Sequence, residues 1–144
     1  MTKEFIKASG RVEVVLTKAD GTVEREEINN LVVTVGKQHI AARLGSSPPT
    51  GMSHIAIGTG ATAPAAGDTT LQSELDRNAA TGTPSANTIV FSATWNPGDG
   101  TGAITEAGIF NNSSGGTMLS RVTFPVKNKD AADTFAINWT ITIN

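Results

Sequence analysis

The sequence predicts a mainly β protein, an antiparallel β-sandwich of jelly-roll-like type with about eight strands and two short helices. Three observations predict it. The last segment alternates strictly, with Phe135, Ile137, Trp139, Ile141 and Ile143 on one side and Ala136, Asn138, Thr140 and Thr142 on the other. Shorter segments repeat that period of two between clusters of turn residues. The composition, with fifteen Gly and no Tyr or Cys in 144 residues, suits short strands joined by tight turns.

Taken in order, Val12, Val14 and Leu16 share one face of a first strand. Lys18-Ala19-Asp20-Gly21 reads as a turn, and Val23 to Glu27 as a charged strand suited to a sheet edge. Leu31 to Val35 is apolar on both faces and reads as a central strand, followed by a helix over Lys37 to Leu44 that stops at Gly45 and Pro48-Pro49. In that helix Ile40 and Leu44 are the expected core residues, and His39 is expected to face solvent or a partner chain. Ser53 to Gly58 is the next strand, with His54 on the face opposite Ile55 and Ile57. A loop to Gly67 leads to a second helix capped by Asp68 or Thr69, with Leu71 and Leu75 on one side and Thr69 and Gln72 at capping-box spacing.

Residues 79–86 and 96–102 read as turn-rich loops. Strands follow over Ile89 to Trp95, Ile104 to Phe110 and Thr117 to Phe124, and the terminal strand completes the set. The expected core is Ile89, Phe91, Trp95, Phe135, Ile137, Trp139 and Ile141. No internal repeat or linker divides the chain, so residues 1–144 read as a single domain able to bury roughly 70% of its unfolded surface, with residues 1–9 as a contact arm.

Charge and motifs narrow the function. Eleven basic and thirteen acidic residues, with no dense Lys/Arg run, argue against nucleic acid as a partner. No stretch reaches the length needed to cross a bilayer, and no secretion signal precedes Phe5, so synthesis in the cytoplasm of the producing cell is expected. Without cysteine, neither a disulfide framework nor a thiolate metal site is available. Gly58-Thr59-Gly60-Ala61-Thr62-Ala63 fits the loose pattern that opens a dinucleotide-binding helix, yet Pro64 and Gly67 forbid a helix at the required place, and it reads as a connecting loop. His39 and His54 have no ligand-type residue at metal spacing, and no G-x-S-x-G elbow is present.

The carboxylates Asp68, Glu74, Asp76, Glu106 and Asp133 have no evident acid/base partner. No catalytic residue, metal or cofactor is therefore expected. Glu106 lies inside an apolar strand and Arg77 follows Leu71 and Leu75, so an ion pair between Arg77 and Glu106, tying the second helix to the sheet, is the one specific polar contact expected. Trp95 and Trp139 fall on predicted core faces, which argues against a carbohydrate-binding face built on exposed aromatics.

The run Ser53-His54-Ile55-Ala56-Ile57-Gly58-Thr59-Gly60, continued by Ala65 to Leu71 and Glu74-Leu75-Asp76-Arg77, resembles a pattern met in small virion structural proteins of tailed bacteriophages. The later blocks Ile104 to Asn111, Gly115 to Arg121 and Asp133 to Trp139 are similar to that group in order and spacing. The resemblance spans about the last two thirds of the chain. It implies a component of the virion, most specifically a capsid decoration or cement protein, alternatively a neck, collar or tail-fibre accessory protein involved in attachment. The implied partners are the phage major capsid protein or neck and tail proteins, together with further copies of the chain in a dimer or trimer. No catalytic residues come with the resemblance, and the collagen-like or heptad stretches of a fibre shaft are absent.

Overall fold

The computed structural model describes residues 4–144. It is mainly β, with two antiparallel five-stranded sheets and one helix. The strands are β1 (Ala8–Thr17), β2 (Val23–Asn29), β3 (Leu31–Val32), β4 (His54–Gly58), β5 (Glu74–Ala79), β6 (Thr81–Ser85), β7 (Thr88–Trp95), β8 (Gly102–Phe110), β9 (Met118–Lys129) and β10 (Thr134–Ile143). The helix α1 covers Thr34–Arg43. The first sheet runs β2-β1-β10-β7-β6 and the second β3-β9-β8-β4-β5.

Alternation sets the core. Along β10, Phe135, Ile137, Trp139 and Ile141 are buried while their neighbours face outward, and β1 and β7 flank it in unbroken register. Val12, Trp139 and Phe91 lie abreast, as do Leu16, Phe135 and Trp95. From the facing sheet, Ile55, Ile57, Ile104, Ala107, Ile109, Val122 and Phe124 join the same apolar cluster. The ring of Phe135 lies 6.0 Å from Trp95 and 6.3 Å from Phe124, so it bridges the two layers. Ile89 sits at the margin of this cluster, half-buried, and Ile143 is 37% exposed.

Ten strands rather than eight arise because two segments expected to be something else extend the sheets. Residues 68–77 do not form a second helix; Glu74–Ala79 is a strand paired with β4. Leu71 and Leu75 at i, i+4 spacing suggested one helical face, but Leu71 is buried and Leu75 is 39% exposed. The amides of Gln72 and Ser73, which a helix would use internally, donate instead to the Glu106 carboxylate. Residues 81–85, read as loop because of Gly82 and Pro84, pair with β7 as an edge strand, the position in a sheet that tolerates proline.

The helix also starts three residues earlier than expected, leaving only Leu31–Val32 as strand. Gly36 rests directly on the Leu119 carbonyl, where any Cβ would collide. That contact turns Gly36 and His39 toward the sheet; Ile40 packs against the core as expected, while Leu44, expected beside it, is 86% exposed. His39 is consequently buried rather than solvent-facing, and burial, followed by repulsion from Arg43, lowers its pKa from the ordinary 6.5.

The bridging ring gives the first prediction. Phe135→Ala should lower unfolding stability by about 3–5 kcal/mol, measured by urea titration, because the cavity falls where both layers meet. Ser92→Ala, on the outward face of β7, should change it by less than about 0.5 kcal/mol.

Candidate functional site

The second sheet is buried on both faces. Its inner face meets the first sheet, and its outer face carries a smaller apolar cluster of Val33, Ala56, Leu71, Phe110 and Met118 beneath the loop 59–73 and the start of α1. Strand register places Glu74, Gly58, Glu106 and Thr123 in one row across this sheet, and Arg77, Ala56, Gly108 and Arg121 in the next. Glu106 is thereby covered by the loop, with no exposure to water.

Its carboxylate is fully engaged. Oε2 accepts from the amides of Gly60 and Ser73 at 2.8 Å each, and Oε1 from the amide of Gln72 at 2.9 Å. Arg121 adds Nε at 3.1 Å and Nη2 at 3.0 Å to Oε1. The same guanidinium reaches Asp68 Oδ2 at 3.1 Å and the Thr62 carbonyl at 2.9 Å, and Asp68 in turn accepts from the Ala65 amide. Two side chains of the sheet therefore hold the loop at five points along its length. Burial alone would raise the Glu106 pKa; the amides of Gln72, Ser73 and Gly60, with Arg121, outweigh it and hold the group below the ordinary glutamate value of 4.5.

The expected partner of Glu106 was Arg77, and the structure assigns Arg121 instead. Arg121 is on the adjacent strand in a diagonal position, whereas Arg77 is two strands away, roughly 10 Å at the normal strand spacing. Arg77 pairs with Glu74 at 2.7 Å, donates to the carbonyls of Asn112 and Gly115, and lies 3.8 Å over the Phe110 ring. It ties β5 to the β8–β9 turn. Arg121 escaped the sequence reading because nothing in its own neighbourhood names a partner fifteen residues away. The available signal was an arginine inside the apolar run Met118 to Phe124.

The glycine pattern that loosely fits a dinucleotide loop has a different cause. A Cβ on Gly60 would strike the Glu106 carboxylate and Gln72, and one on Gly58 would stand 2.7 Å from the same carboxylate. Those glycines make room for the acid. His54 is half-buried, with Nδ1 2.8 Å from Ser53 Oγ. Among the described residues no group of three or more His, Asp or Glu could hold a metal ion, and no helix is long and apolar enough to cross a membrane.

The chemistry available to the Glu106 node is adhesion within the chain, since every lone pair that could serve as a base is occupied by a donor. The exposed edges and ends of the sheets differ in character. The β2 edge of the first sheet is lined with charge, Arg25 facing Glu13 at 3.4 Å, Arg11 beside Glu27, and Lys127 3.0 Å from Glu26. The opposite edge, β6, is exposed at all five residues and carries no charge. At one end of the molecule Phe5, Ile6 and Leu44 are 76%, 75% and 86% exposed, beside the half-covered Ile143. Two apolar grooves, of about 510 and 490 Å³, adjoin them and share Ile40, Leu44 and Ile143 in their walls.

Arg121→Met and Glu106→Gln should each cost about 3–5 kcal/mol at pH 7, as breaking a buried pair does. Joint replacement by Glu106→Leu and Arg121→Met should not restore stability, because the amides of Gly60, Gln72 and Ser73 lose their acceptor. The folded pKa is lowered, so the Glu106 contribution is complete above about 4.5 and lost as pH falls through the folded value. Urea titrations should show the gap between the protein and its Glu106→Gln variant narrowing at that acid end, and Gly60→Ala should resemble Glu106→Gln at pH 7. Comparisons with family models, with curated proteins and with solved structures find nothing that matches this chain, so its site is defined by its own residues alone.

Proposed function

We propose that this chain is a structural protein of a tailed-bacteriophage virion, acting as a capsid decoration or cement protein that binds the assembled head and stabilises it. It works by contact and not by catalysis. The observation that carries the reading is the apolar end of the molecule, where Phe5, Ile6 and Leu44 project into solvent beside two grooves. Exposed large apolar groups gathered in one place mark a protein contact surface. The sequence blocks from Ser53 to Arg77 and from Ile104 to Trp139, which resemble those of small virion proteins, supply the kind of particle.

Other features fit that role. The architecture is read as one jelly-roll-like sandwich domain, supported by nested pairing of β1 with β10 in one sheet and β3 with β9 in the other. Its stiffness comes from packing and from the Glu106 node, with no need of disulfides. The uncharged β6 edge offers a neighbouring shell subunit a strand to pair with, and charges guard the β2 edge against the same pairing. The protein is made in the host cytoplasm and incorporated into the particle, with neither nucleic acid nor membrane as a partner.

Fractionation of disrupted particles of the encoding phage tests this. The protein should sediment with empty heads, in copy number close to that of the major shell subunit. A few copies per particle, sedimenting with isolated tails, would assign it instead to the neck, collar or tail-fibre accessory class. Absence from both fractions would remove the virion role altogether.

A further inference from the structure

The apolar end contains projecting side chains and grooves side by side, and the two are held in fixed relation. The Lys7 amide donates to the Asn144 carbonyl at 3.0 Å and the Asn144 amide to the Lys7 carbonyl at 2.7 Å, extending the β1–β10 ladder by one pair. This anchors the root of the Glu4–Ile6 segment beside Ile143. From there Ile6 borders only the smaller groove, and neither Phe5 nor Ile6 is covered by its own chain. The larger groove lies past Ile143, walled by Leu44, Met52, Ile89, Phe91 and Ile141, with His39 at its edge.

We propose that this larger groove receives the Glu4–Ile6 segment of a second copy of the chain, and that the exchange is reciprocal about a two-fold axis. The proposal rests on reading the apolar end as a contact surface and names its occupant. Three observations select a second copy. The first is the lining: the larger groove is walled mainly by apolar side chains, with no acid among them, and the segment offers it Phe5 and Ile6. Two adjacent apolar side chains match an apolar slot.

The second is area. Phe5, Ile6, Leu44 and Ile143 together leave on the order of 500 Å² uncovered, taking roughly 200 Å² for each full side chain. That is the upper range of apolar patches on monomers and most of the ~800 Å² that each partner contributes to a standard interface. The third is placement. Projection and groove adjoin one another across Leu44 and Ile143, so a two-fold rotation brings each projection onto the other copy's groove.

Sedimentation equilibrium of the isolated chain at concentrations up to about 100 μM should show a dimer. Phe5→Asp and Leu44→Asp, both at exposed positions, should each weaken it about 100-fold or more, since every substitution appears twice in a symmetric interface. Their melting temperatures in the monomeric state should match one another. The cysteine-free background allows a direct test of the occupant: on oxidation, mixed Phe5→Cys and Leu44→Cys variants should form a disulfide-linked heterodimer. A monomer at the highest concentration, a dimer indifferent to both Asp substitutions, or a Phe5→Cys/Leu44→Cys double variant that links only within one chain would each overturn the proposal. A monomer that still sediments with heads would refute the dimer and leave the cement role standing; a dimer absent from all particles would do the opposite.

Discussion

The carboxylate of Glu106, held without water between a sheet and a loop, is the constraint around which the second layer is built. A sheet packed on one face can leave its other face polar and wet, but here the outer face is also covered, so every polar group on it needs a partner. Glu106 finds four donors, and three of them are backbone amides from a segment that has little regular structure of its own. A loop buried against a sheet must place its amides somewhere. The acid supplies that place, and so determines where the loop crosses, where β5 begins and why Gly58 and Gly60 carry no side chain.

The same constraint separates what was legible in the sequence from what was not. Strands β1, β7 and β10 were readable because apolar and polar residues alternate along them, whereas β4 and β8, buried on both faces, were readable as short apolar runs between turn residues. The charged β2 was readable as an edge for the matching reason. The second helix was misread because Leu71 and Leu75 satisfy a helical spacing by coincidence, one covering the outer cluster and the other lying at the surface. What decides that segment is an acid more than thirty residues downstream, and local propensity cannot register it. The position of α1 was likewise set at a distance, by the closeness of Gly36 to β9.

The polar site shows the difference most clearly. An acid inside an apolar strand is a visible anomaly, and Glu106 was singled out on that ground. Its partner depends on which strands are neighbours. Arg77 was nearer to a plausible story, a helix tied to a sheet, but once residues 74–79 become the edge strand β5, β4 stands between Arg77 and Glu106. Arg121 on β9 is then the arginine within reach, and Arg77 turns to Glu74, Phe110 and the β8–β9 turn. Both arginines fasten loops to the same sheet, on opposite sides of β8.

The apolar end is coupled to this framework through β10. That strand lies at the centre of the first sheet, carries Phe135, Ile137 and Trp139 into the shared core, and ends in the groove wall with Ile141 and Ile143. A load applied to the Glu4–Lys7 segment enters β1 along its axis and meets ten paired positions of the β1–β10 ladder together with seven of the β1–β2 ladder. Sliding β1 along that axis would break both ladders together. In a protein proposed to hold a pressurised shell, attachment through a segment continuous with β1 places the contact at the end of the longest ladder in the fold. The Glu106 node lies in the other sheet and outside that path, so it can keep the loop in place without bearing the load.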